Sequence, residues 1–244
     1  MPLARSLARP LRTALLVGVV GLASLSLAGC ASAAAPESAP PVATDPARDS
    51  ARDAFIEAGI RIGDGPVVVT LFGDSSCPYC AKLEADTGAA LASRIEAGEI
   101  TLVLHPMTYV SQKHGDATEY STRSAALLFA AADAGETDAV LDLYRLMLEQ
   151  QPEGDAAPPT DAQLLTMAAD AGIETDLSAA LSGDTWRDLA DRASDFWFAR
   201  TLPGTTQVLQ YVPTVVVDGT VFEMIGDGTD LARLQQLIDD ALAA

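Results

Sequence analysis

Residues Pro66 to Gly73 read PVVVTLFG, an apolar, largely β-branched run. Four residues beyond it a Cys-Pro-Tyr-Cys quartet opens a stretch with helical spacing. A strand that is apolar at nearly every position is covered on both faces, so the sheet around it must lie between layers of helix. The spacing predicts a helix from Pro78 to about Ala97. ITLVLH (Ile100 to His105) then supplies a second buried strand, ended by Pro106. Strand, helix and strand at this spacing form a βαβ unit, which places the chain in the α/β class.

The rest of the chain tells which α/β arrangement this is. A short helix is expected at Ala51 to Ala58. The middle, about 117–200, reads as amphipathic helices, with Val140, Tyr144 and Met147 on one stripe and Trp186, Ala190, Ala193 and Trp197 on another. Both stripes are read as helical core. A Pro/Gly-rich joint, QPEGDAAPPT (Gln151 to Thr160), separates two of the helices. Strands return at PTVVV (Pro213 to Val217) and TVFEMI (Thr220 to Ile225), and the Asp218-Gly219 between them signals a hairpin. A closing helix over Thr229 to Leu242 presents Leu231, Leu234, Ile238 and Leu242. The order βαβ, helical block, ββα is that of a thioredoxin fold with an inserted helical subdomain.

The N-terminal part is organised differently. Arg5, Arg9 and Arg12 precede an uncharged run, Thr13 to Gly29, with the pattern of a secretory signal. It stops at Leu27-Ala28-Gly29-Cys30, which resembles the bacterial lipoprotein lipobox. That resemblance implies a signal peptide over 1–29, an acylated Cys30, and anchoring at the outside of the cell membrane through an N-terminal lipid. Residues 31–50 contain seven alanines and four prolines with Val42 as the one larger aliphatic, so 30–50 reads as a tether ahead of a domain at 51–244. Loss of the signal leaves 12 basic against 34 acidic residues, a net charge of about −22. Such a surface repels nucleic acid and anionic lipid, so no nucleic-acid partner is expected and membrane attachment falls to the acyl chains.

With Cys30 assigned to the lipid, the cysteines that remain are Cys77 and Cys80. Proline suits the first helical position, so Pro78 sets Cys77 at the N-cap and Cys80 one turn inside. There the free backbone N–H groups and the helix dipole favour a thiolate at Cys77 over a thiol. An accessible sulfur with a less accessible partner suits thiol–disulfide exchange. A zinc site would need four ligands, and His105 and His114 are the only other soft candidates, so no metal is expected. A structural disulfide within one turn would close a tiny loop and constrain little of the unfolded chain.

FGDSSCPYC after a buried strand, with Val212-Pro213-Thr214 far downstream before another strand, resembles the DsbA-like branch of the thioredoxin superfamily over about Gly59 to Leu242. The resemblance implies that Cys77 is the nucleophile and Cys80 the resolving thiol. It also implies that Pro213 is cis against the pair and that the Val212 backbone pairs with substrate. Two positions depart from the family. Leu71 stands where the branch often has a buried acid that helps move the resolving thiol's proton, and Tyr79 stands where DsbA has a histidine. A tyrosine hydroxyl can donate toward the thiolate but brings no positive charge, so a Cys77 pKa lowered less than in DsbA and a less oxidising couple are expected. Asp74 is expected first to satisfy loop N–H groups and second to modulate Cys77. His105 is read either as approaching the site or as a solvent-facing loop residue, and His114 as a residue of a polar loop.

The leading expectation is a membrane-anchored, extracytoplasmic thiol:disulfide oxidoreductase that acts on protein thiols and disulfides and uses no cofactor besides its own CPYC couple. A membrane redox partner would recycle it. Two other readings share the residues. One is a glutaredoxin-like or thioredoxin-like reductase, echoed by CPYC, VPTVVVDG and IGDGTDL. The other is a noncatalytic binding or chaperone lipoprotein whose CxxC is structural.

Overall fold

The central strand of the five-stranded sheet is β2 (Val67–Gly73) in the computed structural model of the chain, which describes residues 46–152 and 156–244. The signal, Cys30 and the tether up to residue 45 lie outside the described residues. On one side β2 pairs in parallel with β3 (Ile100–Pro106), and β3 pairs with the antiparallel edge strand β1 (Ile60–Ile62). On the other side it pairs antiparallel with β4 (Thr214–Val217), which is joined through a hairpin to β5 (Thr220–Phe222). Asp218 and Gly219 both have positive φ, 46° and 81°, as a two-residue turn of this hand requires.

Side chains alternate across each strand, so the sheet has two apolar faces. Val69, Leu71, Val215 and Val217 pack with Leu83 of α2 (Pro78–Glu96) and with Leu234 and Ile238 of α9 (Asp230–Leu242). On the opposite face Phe72 and Val216 pack with Trp197 of α8 (Asp184–Trp197). Between β3 and β4 the chain inserts α3 (Tyr109–His114), α4 (Tyr120–Asp133), α5 (Thr137–Glu149), α6 (Asp161–Asp170), α7 (Ser178–Ser182) and α8. The stripe of Val140, Tyr144 and Met147 on α5 is fully buried. Helix α4 carries a buried arginine, Arg123, which donates to the Thr118 and Pro159 carbonyls and to Asp161 Oδ1, tying both ends of the insertion's loops to one side chain.

Several boundaries differ from the sequence reading, each for a local reason. The first helix, α1 (Pro46–Ala58), begins five residues early, because Pro46 and Asp49 suit a first turn and Trp197 Nε1 donates to Ile56 O on the domain side. Thus 46–50 belong to a helix and not to the tether. Strand β1 is new, three residues being too few to show alternation. β5 ends at Phe222 and not at Ile225, because the Ile225 and Gly226 N–H groups donate to the buried Asp230 carboxylate, at 2.9 and 2.6 Å. Leu231 and Leu242 of α9 are exposed, so the buried stripe is narrower than its four leucine and isoleucine positions suggested. Among the described residues no helix is long and apolar enough to cross a membrane.

Candidate active site

The end of β2 turns into α2 within four residues. Cys77 N donates to Asp74 O at 3.0 Å, which closes the turn, and Cys77 takes extended dihedrals (φ −87°, ψ 116°) as the N-cap, with Pro78 first in the helix. Cys80 N and Ala81 N then donate to Cys77 O. The β2–β4 register aligns Phe72 with Thr214, so the residues just before β4 lie level with the exit of β2. This brings Val212 and Pro213 onto the Cys-Pro-Tyr-Cys turn. The Val212–Pro213 peptide is cis, and Cys77 Sγ donates to Val212 O at 3.5 Å.

Both sulfurs are unbridged thiols. Both cysteines are also buried, at 4% exposure for Cys77 and 2% for Cys80, so Cys77 is not the open sulfur that its N-cap position suggested. The Val212 carbonyl is one of its neighbours. Their chemistry nevertheless diverges. The Cys77 pKa is lowered, first by the Cys80 thiol that hydrogen-bonds it and then by the Cys80 and Tyr79 backbone N–H groups, against burial and the Asp74 charge. The Cys80 pKa is raised well above the usual thiol range, first by burial and then by Cys77. Asp74 N donates to Cys80 Sγ at 3.5 Å, which partly opposes this. The two thiols thus differ in acidity, Cys77 being the more easily ionised of the pair.

Asp74 satisfies loop N–H groups, the first of the two roles expected of it. Its carboxylate, 1% exposed, accepts from Ser76 N at 2.8 Å, Val110 N at 2.8 Å and Ser121 Oγ at 2.6 Å. Burial outweighs these bonds and pushes its pKa up to about 6, and its charge opposes ionisation of both cysteines. The partners on α3 and α4 tie the active-site turn to the insertion. Gln151 does the same from beyond α5, donating to Ser75 O at 2.7 Å and to Cys77 O at 3.0 Å. Ser121 and Gln151 carry no motif and sit in the helical block, so sequence spacing gave no sign of them.

Three other expectations change. Tyr79 acts on Cys77 through its backbone N–H, while its ring stands 67% exposed. His105 is neither beside the sulfurs nor in a loop. It lies within β3, buried, stacked on Phe72 at 4.6 Å between centroids and edge-on to Trp197 at 4.8 Å, and burial drops its pKa to about 3. His114 is the last residue of α3, exposed, and not part of a loop. Beside the pair, a groove of about 710 Å³ is lined by Tyr79, Lys82, Tyr211, Pro213, Met224 and Ile225 among others. Tyr79, Tyr211 and Ile225 are among the most exposed large apolar side chains of the described residues.

Comparison with known proteins bears on the fold. The oxidised form of BdbD from Bacillus subtilis superposes with a TM-score of 0.60 at 21% identity, covering 78% of this chain and 95% of BdbD. The reduced disulfide bond oxidoreductase DsbG from Mycobacterium tuberculosis gives 0.56 at 21% identity, covering 79% of this chain and 97% of DsbG. Oxidised DsbA from the same organism gives 0.57 at 20% identity, with 75% and 97% covered. At these identities the likeness is one of fold. No curated protein sequence matches the chain. The family model described as Thioredoxin matches residues 57–240, from the end of α1 to α9, and the chain therefore belongs to the thioredoxin family, with the helical insertion of the DsbA-like fold.

Proposed function

We propose that the chain is an exported thiol:disulfide oxidoreductase, working on protein thiols and disulfides through Cys77 and Cys80 and held at the outer face of the cell membrane by an acylated Cys30. The observation that carries the redox part is geometric: two unbridged thiols one helical turn apart, Cys77 at the helix N-cap with its Sγ against the Val212 carbonyl that precedes the cis Pro213. The export part is supported by the N-terminal sequence, with its basic start, apolar run and Leu27-Ala28-Gly29-Cys30.

In the oxidising direction a substrate thiolate attacks Cys77 Sγ of the Cys77–Cys80 disulfide. The new mixed disulfide forms as Cys80 leaves and takes up a proton. A second substrate thiolate attacks the substrate sulfur of that mixed disulfide, Cys77 leaves as the thiolate, and the substrate has lost two electrons to the pair. A membrane redox partner then accepts those two electrons and restores the Cys77–Cys80 bond. Run backwards, the same steps reduce a substrate disulfide, with the Cys80 thiolate performing the release. Substrate backbone lies along Val212, and its flanking apolar side chains lie in the groove of Tyr79, Tyr211 and Ile225.

The test supplies the full chain first with reduced unfolded protein, then with a disulfide substrate and a thiol donor, and compares wild type with Cys77→Ser. Loss of both reactions in the variant is the expected result. Reactions that persist without Cys77 leave only a binding protein with a structural CxxC. The reduction potential of the pair sets the direction, with values near about −120 mV giving an oxidant and values near about −270 mV a reductant.

A further inference from the structure

Among the described residues, every lysine and arginine except Arg61, Lys113 and Arg200 stands within ion-pair distance of a carboxylate. Acids far outnumber bases in this chain, so a cation left without a carboxylate is the exception. Two of the three exceptions share one place. Lys113 Nζ stands 5.3 Å from the centre of the Tyr109 ring, and the Arg200 guanidinium carbon lies 3.7 Å over the ring of Phe196. Tyr109 in turn stacks on Phe198 at 4.3 Å between centroids, and both phenylalanines pack on the cluster of Phe72 and Trp197. The rings are half-buried and both cations are exposed. A ring face positions a cation without neutralising it, so Lys113 and Arg200 keep their charge for another partner.

This platform adjoins the active-site turn from two directions. On the α3 side Val110 N donates to Asp74 Oδ2 at 2.8 Å, and Ser111 Oγ lies 3.2 Å from Ser76 Oγ. On the α8 side Ala199 N donates to Leu209 O and Leu209 N to Arg200 O, both at 2.9 Å, in a ladder that leads three residues later to Val212. Val212 packs on the same cluster as the two phenylalanines and also lines the groove of Tyr79 and Ile225. A chain lying along Val212 therefore has the groove to one side and the platform to the other. The two sides differ in charge. Lys82 of the groove is paired with Asp86 at 2.7 Å, and Glu223 lines the groove as well. Near the platform Asp116 already accepts from Ser111 Oγ and Tyr120 N, and Asp191 from Gln112 and Thr122, and neither forms an ion pair with Lys113 or Arg200.

We propose that the Tyr109–Phe198 platform, with Lys113 and Arg200, is a specificity surface for an acidic segment beside the reacting cysteine of a protein substrate. The inference rests on the thiol–disulfide reading above and adds to it the chemistry of the substrate. Carboxylates of the segment pair with Lys113 and Arg200, and its apolar groups lie on the rings. The charge pattern favours a short protein segment over an anionic membrane surface as the occupant. At physiological salt, exposed charges more than about 8 Å apart are largely screened, so a docked segment meets the two cations and little of the chain's remaining negative charge. A planar anionic membrane would instead meet a broad face of an acidic domain.

The experiment gives the full chain, with Cys77 and Cys80 oxidised to a disulfide, two-cysteine peptides that differ only in whether aspartates, serines or lysines flank the cysteines. The peptide dithiol becomes a disulfide and the Cys77–Cys80 disulfide becomes a dithiol, two electrons passing from the first to the second. Each rate is divided by that peptide's rate with a small neutral disulfide, which removes the effect of the flanking charge on the peptide's own thiols. The aspartate peptide is expected to react about 10-fold faster than the serine peptide at low salt, with the lysine peptide slowest, and the differences should vanish in about 0.5 M sodium chloride. Lys113→Gln and Arg200→Gln should each lose about 3-fold on the aspartate peptide, the scale of an exposed ion pair, and leave the serine peptide unchanged. Should Arg200→Gln fail to fold, Lys113→Glu decides, since it reverses one charge at an exposed position and should bring the lysine peptide level with or ahead of the aspartate peptide. Equal corrected rates for the three peptides, or a preference that persists in the double Gln variant, overturn the docking surface and leave the thiol–disulfide reading intact. No reaction with any peptide overturns that reading itself. A double variant with unchanged peptide rates that is retained less than wild type on phosphatidylglycerol vesicles, and equally on phosphatidylcholine vesicles, assigns the platform to lipid headgroups and overturns the proposal.

Discussion

Cys77 Sγ lies 3.5 Å from the carbonyl oxygen of Val212, a residue 135 positions away. The contact follows from sheet order. β4 runs antiparallel beside β2, so the residues entering β4 meet the residues leaving β2. The Cys77 sulfur is thereby shielded by the Val212 backbone, and under the function proposed above a substrate strand that pairs with Val212 would arrive beside it.

The first prediction concerns how Cys77 is activated. The largest cause lowering its pKa is the hydrogen bond from the Cys80 thiol. Cys80→Ala removes that donor and raises the Cys77 pKa, whereas Cys80→Ser keeps an O–H donor and raises it less. Titration of the thiolate by its ultraviolet absorbance separates the two. Equal pKa values in both variants would show that the backbone N–H groups alone hold the thiolate. The same titration of the wild type should give a value above that of DsbA, since Tyr79 brings no cation to the site.

The second prediction concerns the groove. Tyr211 and Ile225 are 56% and 61% exposed and border it, so they are placed to hold apolar side chains of a protein substrate and not a small disulfide. Ile225→Asp should lower kcat/KM on an unfolded protein about 10-fold, the equivalent of about 1.4 kcal/mol, and leave turnover of a small aromatic disulfide unchanged. A matching loss on both substrates would place the effect in the chemistry and not in the groove.

Much of this is legible in the sequence itself. The β-branched run at Val67–Gly73 and Pro78 at a helix start were enough for the βαβ core, because local sterics and two-sided burial write directly into residue type. Glu84 illustrates what is not legible. Its place beside Cys80 depends on Gly88 and Gly73 leaving room and on α5 supplying Tyr144, three facts that become one only in the packed structure. His105 shows a related limit. A histidine before a proline looks like a strand end, but Phe72 and Trp197 complete an aromatic stack around it that sequence separation conceals.

The third prediction follows from that stack. Burial holds the His105 pKa near about 3, below the ordinary value of 6.5, so the folded chain favours the neutral ring. A depressed pKa contributes stability that is present above pH 6.5 and is lost as pH falls toward 3. The contribution at stake over the whole window is about 5 kcal/mol. His105→Phe keeps the stacking on Phe72 and has no proton to gain, so its acid unfolding midpoint should move to lower pH. An unchanged midpoint, followed by near-ultraviolet circular dichroism, would mean that other groups govern acid unfolding.

The fourth prediction has the opposite slope and comes from Asp74, whose pKa is raised from 3.8 to about 6 by burial. The folded chain holds this proton more tightly than the unfolded chain does. The stability it contributes is therefore complete below pH 3.8 and is lost as pH rises through 6, by about 3 kcal/mol in all. Asp74→Asn abolishes that slope, although an amide set among the Ser76 N–H, Val110 N–H and Ser121 hydroxyl leaves one donor facing another, at a cost of about 1–3 kcal/mol at every pH. The charge on Asp74 also opposes the Cys77 thiolate, so the same substitution lowers the Cys77 pKa. Urea unfolding of wild type and variant at pH 4 and pH 7 reads the first effect, and the thiolate titration reads the second. A variant with the wild-type slope between those pH values would mean that Asp74 stays ionised throughout, and the Cys77 titration would then shift without any pH-dependent change in stability.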